Sequence, residues 1–432
     1  MQIFDYPSIG ESIHTATLAN GLTISVIPKP GYTSSFALFA TNYGGADRNF
    51  KLDGELISTP AGVAHFLEHK MFDMPEGDNA LSVLAANGSQ PNAFTSSAMT
   101  AYYFESTNSF YENLEILLKF VSTAYFTPES VQKEQGIIAQ EIRMIEDNPD
   151  YVVYDELLRS LYAYNPMRDT VAGTVESIAQ ITDKTLYDCH KVFYSPSNMT
   201  LCVVGDVDPL RVETIAKEMI TSGKTEKPER DYGEAEGVLP VRTRFSRCME
   251  VSAPQFIIGA KEIPEKDGAA QLRQKMIGGL ALHAMFSQSS PFYTRLYAQG
   301  LLSTDFSADM DYAAGTLSIM LGGESRDPEK VFQQVCLETE KVKNEGFDPY
   351  LWARAKKSAY GSKIRSLSSF AGLCISMAES NFAGYNPLDS FEVLDAVTAQ
   401  QAQDFIAKAL APERLAMSVI NPSGREDVGE DA

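Results

Sequence analysis

Histidine and cysteine are both scarce in this chain, five of each among 432 residues. The cysteines (Cys189, Cys202, Cys248, Cys336 and Cys374) lie far apart and form no Cys-x-x-Cys pair. That excludes a disulfide framework and a cysteine zinc site, and leaves free thiols as the expectation. Basic residues are also few, 36 Lys and Arg against 57 Asp and Glu, for a net charge of −21. Nucleic acid, which needs clustered Lys and Arg, is therefore not an expected partner. The acidity serves solubility or lines a cavity that draws in basic peptides. Long apolar runs are missing, so no membrane span is expected. Met1 to Gly10 shows no basic patch followed by an apolar stretch, so the expectation is a cytoplasmic chain without a secretory signal. The polar tail Gly424 to Ala432 is expected to be a solvated end.

What is present is a globular composition, 44% hydrophobic and 22% charged, at a length that suits two to four domains. The chain also repeats itself. Ile181-Thr-Asp-Lys-Thr-Leu-Tyr-Asp188 aligns with Val397-Thr-Ala-Gln-Gln-Ala-Gln-Asp404. Without a gap, Ser195-Pro196 then falls on Ala411-Pro412, and Met199 to Val204 on Leu415 to Ile420. In each copy a Thr caps a helix, a Pro follows the helix end, and an apolar strand comes next. This implies two copies of one domain. The polar, Gly- and Pro-bearing stretch 222–237 is the expected linker, between domains at 1–221 and 238–432.

The first half predicts strands at Leu22 to Ile27, Phe36 to Thr41 and Tyr102 to Glu105. It predicts a helix from Asp78 to Asn87, capped by Asp78 and stopped by Gly88, and amphipathic helices at Phe110 to Ala124 and Ser130 to Asp147. The second half predicts helices from about Ala269, Pro328 and Pro349, with strands near Ser303 and Thr316. The expected class is α+β, two duplicated domains, each a mostly antiparallel sheet with helices packed on one face.

Two of the five histidines stand in Ala64-His65-Phe66-Leu67-Glu68-His69. His65 and His69 are four apart, so on a helix both imidazoles leave the same face, with Glu68 beside them. Two neutral imidazoles and a carboxylate suit a catalytic zinc that keeps one position open. Such an ion lowers the pKa of water to about 7, and Glu68 can take the proton and deliver it to a leaving amine. The plain alternative is a chance pair of histidines, which the inverted zinc-peptidase order of the three residues opposes. A third ligand is on offer at Gln132 to Ile145, where Glu134 and Glu141 lie two turns apart on a stripe shared with Ile138 and Ile145. Zinc for Glu141 and a hydrogen bond to a ligand for Glu134 would satisfy both, and ordinary surface ion pairing would do so equally well.

Gly62-Val-Ala-His-Phe-Leu-Glu-His69, with Phe72, Gly88, Asn92-Ala-Phe-Thr95, Thr100, Tyr102 or Tyr103, Glu134 and Glu141, resembles the insulinase family. This family includes pitrilysin and the mitochondrial processing peptidases, the inverzincins. The motifs span Leu22 to Asp208, and the duplication extends the match over nearly the whole chain. The resemblance implies one Zn2+ per chain held by His65, His69 and Glu141, with Glu68 as general base and Glu134 as the supporting carboxylate. It implies that Asn92, Ala93, Phe94 and Thr95 lie on an edge strand that receives a peptide substrate as an added strand; an ordinary edge strand is the alternative. It makes 1–221 the catalytic domain and 238–432 a domain of the same fold without a zinc site, where His283 is expected to be a core residue.

The second half departs from the family at one point. Self-sufficient members carry an Arg and a Tyr in a stretch resembling Leu-Arg-Glu-x-x-Gly-Leu-Ala-Tyr. Here the stretch is Thr294 to Ser303, with Tyr297 in place of the Arg, Ser303 in place of the Tyr, and Arg295 one residue off. An oxyanion without that donor loses transition-state stabilisation. The implied partner is a related, zinc-less subunit that supplies Arg and Tyr, and otherwise a second copy in a homodimer. The leading expectation is a zinc metalloendopeptidase acting in a closed chamber. The alternative is a non-catalytic structural or peptide-binding subunit of the same fold.

Overall fold

The 216-residue echo in the sequence is an echo in three dimensions. In the computed structural model, which describes residues 1–75 and 77–424, Thr182 and Thr398 each close a capping box, with Thr185 and Gln401 as the reciprocal partners. The hydroxyl of each Thr accepts an otherwise unpaired amide of the first turn. The helices Asp183–Phe193 and Ala399–Ala409 follow. Each gives way to a short 3-10 turn opened by proline, Pro196–Asn198 and Pro412–Arg414, and then to a buried strand. The fixed φ of proline suits the first position of such a turn. The tail expected as a solvated end lies, beyond Gly424, outside the described residues.

The first of two units comprises Met1–Ile142, Thr170–Tyr232 and Ile364–Leu388. Its strands are β1 (Gln2–Tyr6), β2 (Glu11–Thr17), β3 (Thr23–Pro28), β4 (Ser35–Thr41), β5 (Asn49–Leu52), β6 (Glu55–Ser58), β7 (Ser89–Thr95), β8 (Thr100–Ser106) and β9 (Met199–Gly205). Seven form one sheet in the order β1-β2-β3-β9-β4-β8-β7, antiparallel except for the β3/β9 pair; β5 and β6 make a separate hairpin. Every residue of β4 and β9 is buried, because the sheet is covered on both faces. Phe39, Tyr102 and Leu201 are cross-strand neighbours on one face, where Tyr102 meets Phe120 of the helix Phe110–Val121 at 5.8 Å between ring centroids. On the other face lies the helix Phe370–Ala383, which the expected single helical layer did not include. Asn381 Nδ2 donates to Ser25 Oγ at 3.0 Å and to Thr200 Oγ1 at 2.8 Å.

The second unit comprises Arg143–Asp169, Gly233–Lys363 and Asp389–Ala432. Its strands β10 (Arg244–Met249), β11 (Gln255–Glu262), β12 (Ser307–Ala313), β13 (Thr316–Glu324) and β14 (Ala416–Pro422) run in the order β10-β14-β11-β13-β12. This is the order of β3-β9-β4-β8-β7, with the one parallel pair again between the first and last strands in sequence. Its core is built from Phe256, Phe286, Phe292 and Phe306, with apolar residues of the helices Pro328–Glu345 and Ala399–Ala409. The helix Pro149–Leu161, from the first half of the sequence, packs on β14 and β11, and the Tyr162 hydroxyl bonds to Ser318 at 2.7 Å. Each unit thus includes a helix from the other half of the sequence, an interleaving absent from the division at 221 and 238. His283 is half-buried on the helix Gly268–Phe286, and burial lowers its pKa.

Three local expectations shift. The helix predicted from Asp78 is Ala80–Ala86, because it is Asn79 whose side chain accepts from Leu81 N. The strand expected near Ser303 begins at Ser307. Stretch 222–237, expected as a linker, is pinned. Arg230 Nε and the Tyr232 hydroxyl both reach Asp47 Oδ1 at 2.8 Å, while Glu236 Oε1 accepts from the backbone of Ala163, Tyr164 and Asn165. Arg230 and Glu236 are thus paired with groups far away in sequence.

Candidate active site

The helix that carries both histidines, Val63–Lys70, has no side chain capping its start. Gly62 takes that place at φ 91°, a left-handed conformation that costs a residue with a Cβ about 1–2 kcal/mol. A Cβ there would also lie 2.5 Å from the Ala172 carbonyl oxygen. The chain is thus threaded against residues 172–173, and Ser177 Oγ donates to Ala61 O at 2.8 Å. Gly62→Ala is expected to destabilise the first unit by at least about 2 kcal/mol, read as a lower midpoint in urea with an unchanged slope.

Val63, Phe66, Leu67 and Lys70 form the buried stripe of this helix. His65, Glu68 and His69 are left together beside it, and the two imidazole centroids stand 4.7 Å apart. The helix Pro128–Glu146 buries Val131, Ile138 and Ile142. Glu134 and Glu141, two turns apart, sit at the margin of that buried stripe and face the histidines. Glu141 Oε1 lies 3.5 Å from His65 Nε2, and its Oε2 lies 3.6 Å from His69 Nε2. One donor atom from each of the three residues falls within 4.8 Å of the others.

A zinc ion suits this donor set. Ligands at about 2.0–2.1 Å in a tetrahedron stand about 3.3–3.4 Å apart, close to the separations of Glu141 from each histidine. His65 Nδ1 is buried without a hydrogen-bond partner, so Nε2 is the nitrogen that faces the other donors. His69 Nδ1 bonds to Glu134 Oε1 at 3.0 Å, which holds the ring with Nε2 toward Glu141. Glu134→Gln, which weakens the acceptor behind His69, is expected to reduce zinc affinity by roughly 10–100-fold in competition with a chromogenic chelator.

The groups also tune one another. Burial alone would lower the pKa of His69, but the hydrogen bond that it donates to Glu134 and the charges of Glu141, Glu68 and Glu134 raise it. Burial opposes the charge on Glu134, yet His69 and Lys70 hold its carboxyl below the usual range. For Glu141 the pairing with His65 at 3.5 Å is the largest influence, and its carboxyl is also lowered, against the opposing effect of burial.

The edge strand lies beside this cluster. β7 pairs only with β8 among the described residues. Asn92 Oδ1 accepts from Ala93 N, and the Phe94 ring lies 6.3 Å from that of Tyr103; neither side chain joins the donor set. Thr95 does reach the residue beside that set, its hydroxyl donating to Glu68 Oε2 at 2.6 Å. Sequence reasoning missed this link and two other features. Lys70, 2% exposed, pairs with Asp73 and lies 3.9 Å from Glu134 Oε2; its place at i+3 and i+4 from Leu67 and Phe66 was the available signal. The buried hydroxyls of Tyr102 and Tyr194 bond to each other at 2.7 Å, and the charge of Glu68 is among the influences that raise both pKa values after burial.

Residues 58–175 match the family model for insulinase (peptidase family M16), and residues 180–359 match that for the peptidase M16 inactive domain. The chain is 34% identical to the uncharacterized zinc protease YmfH of Bacillus subtilis, over 97% of this chain and 98% of that one. It belongs to the M16 peptidase family. The fold agrees. An M16-like peptidase from Alicyclobacillus acidocaldarius superposes with a TM-score of 0.91 at 34% identity, covering 97% of this chain and 100% of that one. A chain of complex III2 from Candida albicans gives a TM-score of 0.74 at 14% identity, over 94% and 95% of the two chains, which shows the fold alone.

Proposed function

We propose that this M16 protein is a zinc metalloendopeptidase that hydrolyses peptides or unfolded segments bound as an added strand along β7, in a closed chamber. The observation that carries the reading is the convergence of His65 Nε2, His69 Nε2 and the Glu141 carboxylate, with Glu68 on the same helix face. These three residues would hold one Zn2+, which when bound supplies the Lewis acidity that makes water a nucleophile near neutral pH. Glu68 takes the proton of the attacking water and passes it to the nitrogen of the leaving amine. Glu134 keeps His69 oriented through Nδ1. β7 offers the substrate backbone the edge that pairs with no strand among the described residues, a mode in which main-chain hydrogen bonds give affinity with loose sequence preference.

The reading includes a second, related, zinc-less chain that supplies an Arg and a Tyr to the substrate carbonyl. What supports this is the state of the second unit's own candidates. Arg295 is paired with Glu338 at 3.2 Å, Tyr297 stacks on Tyr293 at 5.6 Å, and Ser303 Oγ bonds to Asp305 and to Glu324 O. A homodimer is the other assembly under test. The reading also places the chain in the cytoplasm, supported by cysteines that form no disulfide among the described residues; among the described residues no helix is long and apolar enough to cross a membrane. The test is cleavage of a quenched fluorescent peptide library by the zinc-loaded chain, alone and with whatever related chain co-purifies from its native cell. Gain of cleavage with the partner supports the split site. An active, stable monomer or homodimer from that cell overturns the heterodimer.

A second reading rests on one observation. The model matched by residues 180–359 is described as an inactive domain, and on this reading the whole chain binds peptide without turnover. It requires the zinc-loaded protein to behave like its own Glu68→Gln variant.

A further inference from the structure

We infer that Thr95 is a positioning residue for the general base, tying the carboxylate of Glu68 to the end of the strand that receives the substrate; this rests on the peptidase reading above. An ionised carboxylate can only accept, so the Thr95 hydroxyl must donate to it. The 2.6 Å separation is that of a charge-assisted O–H···O⁻ bond. Among the described residues no other protein group hydrogen-bonds to Glu68, which is 8% exposed. The bond occupies Oε2 and leaves Oε1 for the proton in transit.

Thr95 is itself firmly held. It is the last residue of β7, in register with Thr100 on β8. The turn between them is closed by Ser96 N donating to Met99 O at 2.8 Å, while Ser96 Oγ accepts from Ala98 N and Met99 N. Gly45 N and Ala46 N donate to Ser96 O and Ser97 O. A Cβ on Gly44 would lie 2.4 Å from the Ser97 backbone, so the turn rests directly on that loop. A carboxylate anchored to such a support keeps its rotamer during proton transfer. A peptide added along β7 arrives on the element that aims the base, so binding and positioning share one strand.

Thr95→Val keeps shape and strand preference and removes the hydroxyl, which donates to Glu68 and accepts from Thr100 Oγ1 at 3.4 Å. In the zinc-loaded protein it is expected to lower kcat roughly 10–100-fold, with KM and peptide affinity within about twofold, and Thr95→Ser restores kcat. A rise in KM or loss of peptide affinity at unchanged kcat overturns the inference, because Thr95 would then serve the strand alone. Failure of Ser to restore also overturns it. A second readout needs no turnover. In the Co2+-loaded protein, Thr95→Val is expected to shift the visible absorption bands in the wild-type background and to add nothing in a Glu68→Gln background. Equal shifts in both backgrounds show that Thr95 does not act through Glu68. If the wild type does not cleave but the Co2+ cycle behaves as expected, the peptidase reading fails and the positioning role stands.

Discussion

Glu68→Gln is expected to leave zinc bound and peptide affinity intact, and to lower kcat/KM by about 10²–10⁴-fold. The substitution keeps the volume of a side chain that is almost wholly buried. The Thr95 hydroxyl can still donate to the amide oxygen, so the local packing survives. What is lost is a group that can take a proton from water and return it to an amine. The loss therefore falls on the chemical step rather than on binding. Zinc content by mass spectrometry, peptide anisotropy and initial rates on one preparation separate the outcomes. Unchanged rates would remove Glu68 from the mechanism. A wild type that already behaves like the variant would favour the binding subunit.

The second large effect falls on the metal itself. Glu141→Gln is expected to weaken zinc binding by more than the roughly 10–100-fold assigned to Glu134→Gln, because a donor is lost rather than its support. Glu141 faces both histidines at 3.5 and 3.6 Å and brings the only carboxylate among the three donors. Its replacement leaves two neutral imidazoles, a set short of the three protein ligands common at catalytic zinc sites. The measurement is zinc affinity by chelator competition, followed by cleavage at saturating zinc. Full zinc affinity in Glu141→Gln would mean that the third ligand lies elsewhere.

The parts of this structure that were legible in the sequence rest on local chemistry. The two capping boxes at Thr182 and Thr398, each with proline and a strand at fixed distance beyond it, exposed the duplication because caps and turns leave marks on neighbouring residues. The cluster of His65, Glu68 and His69 was legible for the same reason, since helical spacing alone places the three together. Partners distant in the chain were not legible. An amphipathic pattern tells which face of a helix is buried but not against what, so nothing marked Pro149–Leu161 and Phe370–Ala383 as crossing to the other half's sheet. Nothing in the sequence joins Asp47 to Arg230 and Tyr232, or Glu236 to the backbone of 163–165, although the structure pairs them. The bond from Thr95 to Glu68 spans 27 residues and joins a strand end to a helix, a pairing with no periodicity to reveal it.

The central claim is that these residues make a zinc-dependent peptidase, and product analysis tests it most directly. A defined unlabelled peptide is incubated with the zinc-loaded protein, with its co-purifying partner where one exists, and the products are identified by mass spectrometry. The account predicts fragments from cleavage of an internal peptide bond, their loss on chelation, and their return when zinc is restored. Intact peptide from zinc-occupied protein in its native assembly, or cleavage indifferent to the chelator, would contradict it.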